Sequence, residues 1–294
     1  MKFIKSFNKI KLLPLFMVAL LISACNTDET QEVAQLNNLI MQDEFDVDGA
    51  PDSSMWTYDI GDGTAQGLPA GWGNNELQYY TDRSENVTVE NGLLVLTARE
   101  EAFEGANYTS ARLTTQGLFE QQYGRFEARI KLPTGKGVWP AFWLLGNDCD
   151  QNPWPQCGEI DIMEYLGDGP TITFGSAHGP GYNGEFSVSK EYEIENDRFD
   201  EGFHIFGIEW GPDYINYYVD GDLYQTITPG VVAQQAEDVE DEFINAPENA
   251  GEWVFNRPFY IIINMAVGGN LPGSPNAETV FPQRMLVDYV RVYN

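Results

Sequence analysis

Apolar and polar residues alternate along much of this chain with a period of two. The clearest stretch is YGRFEARIKL at 123–132, in which Phe126, Ala128, Ile130 and Leu132 share one face and charged residues occupy the other. This alternation predicts a β-strand with one face in a core. Further strands are predicted in GLLVLTAR, HIFGIEW, INYYVDGDLYQTI, FYIIINMAV and MLVDYVRVY, and DGD at 220–222 predicts a hairpin turn.

The strands are short, and 29 glycines and 16 prolines separate them. No long helical pattern interrupts the series, so the pattern predicts an all-β fold: an antiparallel β-sandwich or jelly roll. The acid-rich stretch 233–252 breaks the alternation and predicts an exposed loop or a short helix. Residues 41–294 contain no repeat or linker, and about 250 residues is an ordinary size for one sandwich domain. We predict that this segment is a single domain.

The first 24 residues follow another pattern. Four lysines precede an apolar run from Leu12 to Ala24, which is too short to cross a bilayer as a helix. It predicts a secretory signal peptide. The run ends in ISAC, which resembles a bacterial lipobox with Cys25 as the lipidated first residue, although Ile22 stands where leucine is usual. The alternative is an ordinary secreted protein in which this cysteine is incidental.

Residues 25–40 are polar and predict a tether, so we expect a lipid-anchored protein of the bacterial cell envelope, facing the periplasm or the cell surface. The formal charge is −29, and it becomes −33 once the four lysines of residues 1–24 are removed. So acidic a chain is not attracted to nucleic acid or to an anionic membrane surface. Membrane contact is therefore expected only through the lipid. Export also permits a disulfide between Cys149 and Cys157, with two free or buried thiols as the alternative.

The stretch GEIDIMEYLG holds three carboxylates within six positions. In a regular strand Glu159 and Asp161 share a face and Glu164 lies on the other. A β-bulge at Ile162 or Met163 would return Glu164 to the face of the other two. Two carboxyl groups roughly 5 to 5.5 Å apart are the geometry of a retaining glycosidase, and a third acid between them can tune their proton affinities. The alternative is a metal site or an exposed polar face.

GEIDIMEY also matches the E-x-D-x-x-E signature of family 16 glycoside hydrolases, and the chain most resembles their laminarinase-type members, the endo-β-1,3-glucanases. The similarity extends through GWGNNELQYYT, YTSARLTTQG, YGRFEARIKLPTGKGVWPAFWLLG, HGPGY, FYIIINMAVGG and MLVDYVRVY. The resemblance implies a jelly roll of two antiparallel sheets with a concave substrate cleft. It also implies Glu159 as nucleophile, Asp161 as assisting carboxylate and Glu164 as acid/base.

Tryptophans surround this motif in the sequence. Trp139 and Trp143 have the same parity, so a regular strand places both on one face, and indole rings stack on the apolar faces of sugars. Packing in the core is the alternative, especially for Trp143. The resemblance implies that Trp139, Trp143 and Trp154 line the cleft.

The resemblance also implies that His178 contacts sugar near the cleavage point, whereas His204 is expected to be structural. It assigns Asn74 and Arg112 to the non-reducing side of the cleft, and Arg112 could equally be a salt-bridge partner. The resemblance further implies a structural Ca²⁺ on the convex side, with the carbonyls of Glu44 and Gly92 and the side chain of Asp288 as ligands. The alternative is that Asp288 caps a strand pair.

The sequence contains no nucleotide motif, zinc-ligand spacing or Ser–His–Asp set, so no organic cofactor is expected. The acid pattern and the family resemblance together imply a monomeric, retaining endo-β-1,3-glucanase that binds β-glucan polysaccharide such as laminarin. A mixed-linkage β-1,3-1,4-glucanase is the alternative within the same class. A β-glucan-binding protein without catalysis is the alternative from another class, and the presence of all three acids argues against it.

Overall fold

The alternating segments form two stacked β-sheets. The computed structural model describes residues 36–240 and 248–294, all of which lie in one compact unit. The predicted signal peptide, Cys25 and residues 25–35 of the predicted tether lie outside the described residues. The first strand begins at Leu39, within the segment predicted as tether.

The described elements are mostly strands. In chain order the strands are β1 (Leu39–Asp43), β2 (Thr57–Tyr58), β3 (Gln78–Tyr80), β4 (Val87–Glu90), β5 (Leu93–Phe103), β6 (Ala106–Ser110), β7 (Arg112–Thr114), β8 (Gly124–Lys131), β9 (Val138–Gly146), β10 (Glu159–Tyr165), β11 (Ile172–His178), β12 (Val188–Glu193), β13 (His204–Gly211), β14 (Tyr214–Val219), β15 (Asp222–Ile227), β16 (Phe259–Val267) and β17 (Gln283–Tyr293). The helical elements are α1 (Pro229–Glu240) and the 3₁₀ turns Thr64–Gln66 and Gly184–Phe186.

The larger sheet has the strand order β15-β14-β13-β8-β17-β5-β6-β3, with β1 also paired to β17 and β4 to β5. The smaller sheet has the order β12-β11-β10-β9-β16-β7-β2. All pairs are antiparallel except β3 with β6. Neighbours in each sheet are often distant in the chain, as in a jelly roll, which confirms the predicted fold class.

The alternation in β8 builds the core as predicted. Phe126, Ala128 and Ile130 are fully buried between the sheets, and Leu132 is almost so. The turn between β14 and β15 contains Asp220 and Gly221, both with positive φ, which confirms the hairpin predicted from DGD. The acid-rich stretch begins inside α1. Among the described residues, no helix has the length and apolar character needed to cross a membrane.

His204, which was expected to be structural, and Asp288, which was predicted as a calcium ligand, both take part in ion pairs of the larger sheet. His204 is buried, and its Nδ1 lies 2.7 Å from Oδ2 of Asp220, which fits the structural role expected of it. Asp288 lies on β17 between two paired segments. The strand pairs with β5 as far as Val287 and with β1 from Val290 onward. Its Oδ2 accepts a hydrogen bond of 2.5 Å from Arg129.

The register also brings the other two predicted calcium ligands to this junction. Glu44 follows the last paired residue of β1, and Gly92 directly precedes β5. The side chain of Glu44 forms a bidentate pair with Arg291 at 2.7 and 2.8 Å, which leaves its carbonyl as the group that a cation could use. The strand register therefore places all three residues at the junction of β1, β5 and β17, where the carboxylate of Asp288 is paired with Arg129.

Candidate active site

A β-bulge in β10 answers the question raised by its three acids. Pairing with β9 is regular to Asp161 and resumes at Met163, and pairing with β11 is interrupted between Asp161 and Glu164. Ile162 and Met163 are adjacent in sequence and both are buried in the core between the sheets. One extra residue is thus absorbed on the core side, and Glu164 returns to the face of Glu159 and Asp161, as predicted.

We call the outer side of the smaller sheet the catalytic face. Its register arranges side chains from β9, β10 and β11 in three successive rows: Leu145, Glu159 and His178; Trp143, Asp161 and Ser176; and Ala141, Glu164 and Phe174. The three acids therefore occupy neighbouring rows of one strand, between an aromatic strand on one side and His178 on the other.

Indole N–H groups hold the two outer carboxylates. Trp154 Nε1 donates to Oε2 of Glu159 at 2.7 Å, and Trp139 Nε1 donates to Oε1 of Glu164 at 3.0 Å. Each carboxylate is therefore oriented by a tryptophan that also offers a ring to a ligand. An indole can donate but cannot accept, so the contact from Trp139 favours the ionised form of Glu164.

The environment of the site raises the pKa of two of its acids. Burial raises the pKa of Asp161 well above its usual value, and the charge of Glu159 and a hydrogen bond with it raise it further. Burial also raises the pKa of Glu164 well above its usual value, followed by the charge of Asp161, while His178 and the Trp139 N–H act in the opposite direction. A protonated Asp161 can donate to Glu159, and a protonated Glu164 can serve as an acid.

His178 faces the central acid. Its Nε2 lies 3.0 Å from Oδ2 of Asp161, at an angle that leaves this buried oxygen without a hydrogen bond. Its Nδ1 accepts the backbone N–H of Gly184 at 3.1 Å. A neutral imidazole whose Nδ1 accepts must carry its proton on Nε2, so His178 presents an N–H to the catalytic face.

The same tautomer decides between the two interpretations of the acid cluster. Glu159, Asp161 and His178 each offer an atom within 4.8 Å of the others, the spacing of a metal site. Coordination would need the lone pair of Nε2, which the Gly184 contact commits to a proton. The arrangement therefore favours proton transfer over metal binding.

The predicted aromatic residues lie around this centre. Trp139 and Trp143 are half-buried on the catalytic face, and Trp154 is 44% exposed. Trp154 stands on the loop closed by a disulfide between Cys149 and Cys157, the pairing that the sequence left open. Its ring lies 6.0 Å from that of His178.

Asn74 and Arg112 lie on one side of the acids. Asn74 is exposed and donates to Glu76. Arg112 pairs with Asp59 at 2.8 Å, and its guanidinium lies 4.5 Å above the ring of Trp72 and 4.8 Å above that of Trp143. Arg112 is therefore a salt-bridge partner that also covers one face of a site tryptophan, and its contact with sugar stays a prediction.

Sequence reasoning missed three polar residues behind Trp143, namely Asn264, Tyr80 and Glu76. Trp143 Nε1 donates to Oδ1 of Asn264 at 2.7 Å, and Asn264 donates to the Tyr80 hydroxyl at 3.0 Å. Tyr80 donates to Glu76 at 3.3 Å. The signal for Asn264 was present, since it is the single polar residue in the apolar run FYIIINMAV.

A jelly roll with three carboxylates on one sheet face, two of them with a raised pKa, and with tryptophans on that face and on a neighbouring loop, defines a glycoside hydrolase that acts on a polysaccharide. The family model for glycosyl hydrolases family 16 matches residues 74–246, and the chain belongs to that family.

Known proteins support this assignment along most of the chain. The beta-glucanase of Rhodothermus marinus is 41% identical over 260 residues, which cover 87% of this chain and 84% of that protein. The laminarinase catalytic domain of Thermotoga maritima MSB8 superimposes with a TM-score of 0.76 at 48% identity, covering 87% of this chain and 97% of that one. The endo-beta-1,3-glucanase of Pyrococcus furiosus gives a TM-score of 0.77 at 47% identity, covering 87% and 94%.

Proposed function

We infer that this chain is a retaining endo-β-1,3-glucanase that hydrolyses internal bonds of laminarin-type β-glucans. The observation that carries the inference is the bulge, which places Glu159, Asp161 and Glu164 on one face with different surroundings. The similarity to beta-glucanases, laminarinases and endo-beta-1,3-glucanases supports the substrate class.

In the first step Glu164 acts as acid and Glu159 as nucleophile. The raised pKa keeps a proton on Glu164, which it delivers to the glycosidic oxygen as the bond to the anomeric carbon breaks. Glu159, oriented by the Trp154 N–H, attacks that carbon and forms a covalent glycosyl-enzyme. The leaving part of the glucan departs with the proton.

In the second step Glu164, now ionised, takes a proton from water, and the water attacks the anomeric carbon and releases Glu159. Two inversions give net retention of configuration. Asp161 holds its proton through burial and shares a hydrogen bond with Glu159. It thereby stabilises the nucleophile while it is charged, without bonding to the sugar.

Azide distinguishes the two glutamates. With Glu164→Ala and a substrate that has a good leaving group, azide needs no base and should give the β-glycosyl azide by retention. With Glu159→Ala, azide can only attack directly and should give the α-glycosyl azide. Asp161→Asn should slow both steps without altering stereochemistry. Inverted products from the parent enzyme, or the same anomer from both glutamate variants, would contradict the assignment.

The substrate is defined by a product profile on laminarin, lichenan, agarose and carrageenan. We expect release of reducing sugar from laminarin, and activity on lichenan would extend the function to mixed-linkage glucan. No release from any of the four, together with retained binding of laminarin, would instead indicate a glucan-binding protein.

The proposal includes a lipid anchor at Cys25 that holds the enzyme in the cell envelope. Its support is the apolar run that ends in ISAC. Cys25→Ser should give soluble or uncleaved protein. If the variant fractionates with membranes as mature protein, the lipobox interpretation is wrong.

The proposal also includes a structural Ca²⁺ held by the carbonyls of Glu44 and Gly92 and by Asp288. Its support is the register that gathers the three residues at one junction. An ion bound only to the folded state stabilises it by mass action, so chelation should lower Tm more than it lowers activity at mild temperature. Asp288→Asn should abolish the response to chelator, and an unchanged melting curve of the parent would refute the site.

A further inference from the structure

Glu76 is a partly buried carboxylate beside the catalytic face that the proposed mechanism does not use. It accepts hydrogen bonds from Gln78 Nε2 at 2.6 Å and the Tyr80 hydroxyl at 3.3 Å on Oε2, and from Asn74 Nδ2 at 3.2 Å on Oε1. Burial raises the pKa of Glu76, and the bond from Gln78 is the largest opposing influence. Three side-chain donors converge on this carboxylate, so the position of Glu76 is tied to the positions of all three.

The direction of every hydrogen bond between Trp143 and Glu76 is forced. The indole N–H of Trp143 can only donate, so Asn264 must turn its Oδ1 to the indole and its amide to the Tyr80 oxygen. Tyr80 is fully buried and already accepts from Asn264, so its own proton points to Glu76. The hydrogen-bond series from Trp143 through Asn264 and Tyr80 therefore requires an acceptor at its end, and Glu76 is that acceptor.

A second forced donor reaches the same oxygen of Glu76. The backbone N–H of Val267 donates to Oε1 of Gln78 at 2.7 Å, so the Gln78 amide nitrogen faces Glu76. Gln78 is almost fully buried, and exchanging the oxygen and nitrogen of its amide would lose the Val267 bond. Only Asn74, which is exposed, is free to turn its amide.

Arg112 completes the restraint on the site tryptophan. Its guanidinium covers one face of Trp143, and its charge lowers the pKa of Glu76 against the effect of burial. Trp143 is thus fixed at its N–H edge by the hydrogen-bond series and on one face by Arg112. The row neighbour of Trp143 on β10 is Asp161, so the orientation of this ring bears directly on how a sugar meets the acids.

We propose that Glu76 is a positioning residue that fixes the Trp143 indole for binding of glucan on the side of the site where Arg112 lies. This proposal rests on the proposed glucanase function for its kinetic readout, and it has a second readout that does not. Preorganised groups bind a ligand more tightly because their ordering cost is met before binding. Loss of Glu76 should therefore act mainly on KM.

Three variants separate the acceptor from the charge and from the fold. Glu76→Gln can keep a carbonyl toward Tyr80 and Gln78 while Asn74 turns its amide, so we expect KM for laminarin within about twofold of the parent. Glu76→Leu leaves both buried donors without an acceptor, and we expect KM to rise about tenfold with kcat changed less than about threefold. Tyr80→Phe breaks the series without changing its bulk and should give the same pattern. Glu85→Gln, at an exposed glutamate that is not part of the series, is the control.

The second readout is the ¹⁵N–¹H resonance of the Trp143 indole, assigned with Trp143→Phe. It should move in Glu76→Leu and Tyr80→Phe, stay close to the parent position in Glu76→Gln, and stay unchanged in Glu85→Gln. A parent protein that does not cleave laminarin would refute the glucanase function while this resonance still tests the proposal. An unmoved resonance in Tyr80→Phe, or a KM in Glu76→Gln as high as in Glu76→Leu, would overturn the proposal.

Discussion

Replacing Trp139 with phenylalanine should move the alkaline limb of the pH–rate profile. The indole N–H of Trp139 donates to Oε1 of Glu164 at 3.0 Å, and this bond lowers the pKa of a carboxyl group that burial raises. Phenylalanine keeps an aromatic ring at the position and removes the donor. The ionised form of Glu164 then loses a partner, so its pKa must rise.

The size of the shift follows from the bond that is lost. A hydrogen bond to a charged group contributes about 1.5 to 3 kcal/mol, and one pKa unit corresponds to about 1.4 kcal/mol. Because Glu164 is only partly shielded from solvent, we take the lower end and expect a rise of about one unit. Glu164 acts as an acid in its protonated form, so the alkaline limb of kcat/KM should move upward by that amount.

The assay is the pH dependence of kcat/KM on a soluble β-1,3-glucan oligosaccharide. Trp143→Phe is the matched control, since its indole donates to the neutral amide of Asn264 and the limb should stay in place. Both variants lose stacking surface and some rate, but the position of the limb does not depend on the absolute rate. An unmoved limb in Trp139→Phe, a downward shift, or equal shifts in the two variants would refute the reasoning.

Three further predictions concern residues around the site and in the larger sheet. Trp154→Ala should raise KM about fivefold through lost stacking of about 1 kcal/mol, while calorimetry shows a nearly unchanged Tm because the side chain is 44% exposed; a large fall in Tm would show that it packs inside. Replacing both disulfide cysteines with serine should cost about 2 to 3 kcal/mol by the loop-entropy relation and lower Tm by about 5 °C or more, and equal Tm values with and without reductant would contradict this. In the His204–Asp220 pair, the hydrogen bond to Asp220 raises the pKa of His204 above 6.5, and the pKa of Asp220 is lowered from 3.8, where burial is outweighed by the bonds from His204 and Ile205. The pair's stability is fully present between these ordinary values, falls as pH rises through the raised pKa of His204, and falls as pH drops through the lowered pKa of Asp220; the Tm difference between the parent and His204→Asn should thus be larger at pH 5 than at pH 9, and a constant difference would refute it.

The sequence by itself determined the fold class and the catalytic motif. Successive side chains of a strand point to opposite faces, so a strand with one buried face shows apolar residues at every second position. This pattern identified β8 without knowledge of the strands that it pairs with. The three acids of β10 could be placed on one face for the same reason, because an extra residue between Asp161 and Glu164 is a local property of one strand. The similarity of several segments to one family then named the chemistry.

Other outcomes needed the packed chain. The sequence left the pairing of Cys149 and Cys157 open, since separation along the chain does not fix the positions of two Cα atoms. It also left Arg112 between two roles, and the structure shows the salt bridge to Asp59, with two indole rings packed against the same guanidinium.

Only the tertiary structure decided the series from Trp143 through Asn264 and Tyr80 to Glu76. These residues lie on β9, β16 and β3 and in the segment before β3, and each looks ordinary in its own stretch of sequence. The direction of a hydrogen bond depends on which donor meets which acceptor across the strands, and the register of a jelly roll sets those meetings between residues as far apart as 80 and 264. The sequence specifies the polar side chains, and the strand register determines which of them form hydrogen bonds with each other.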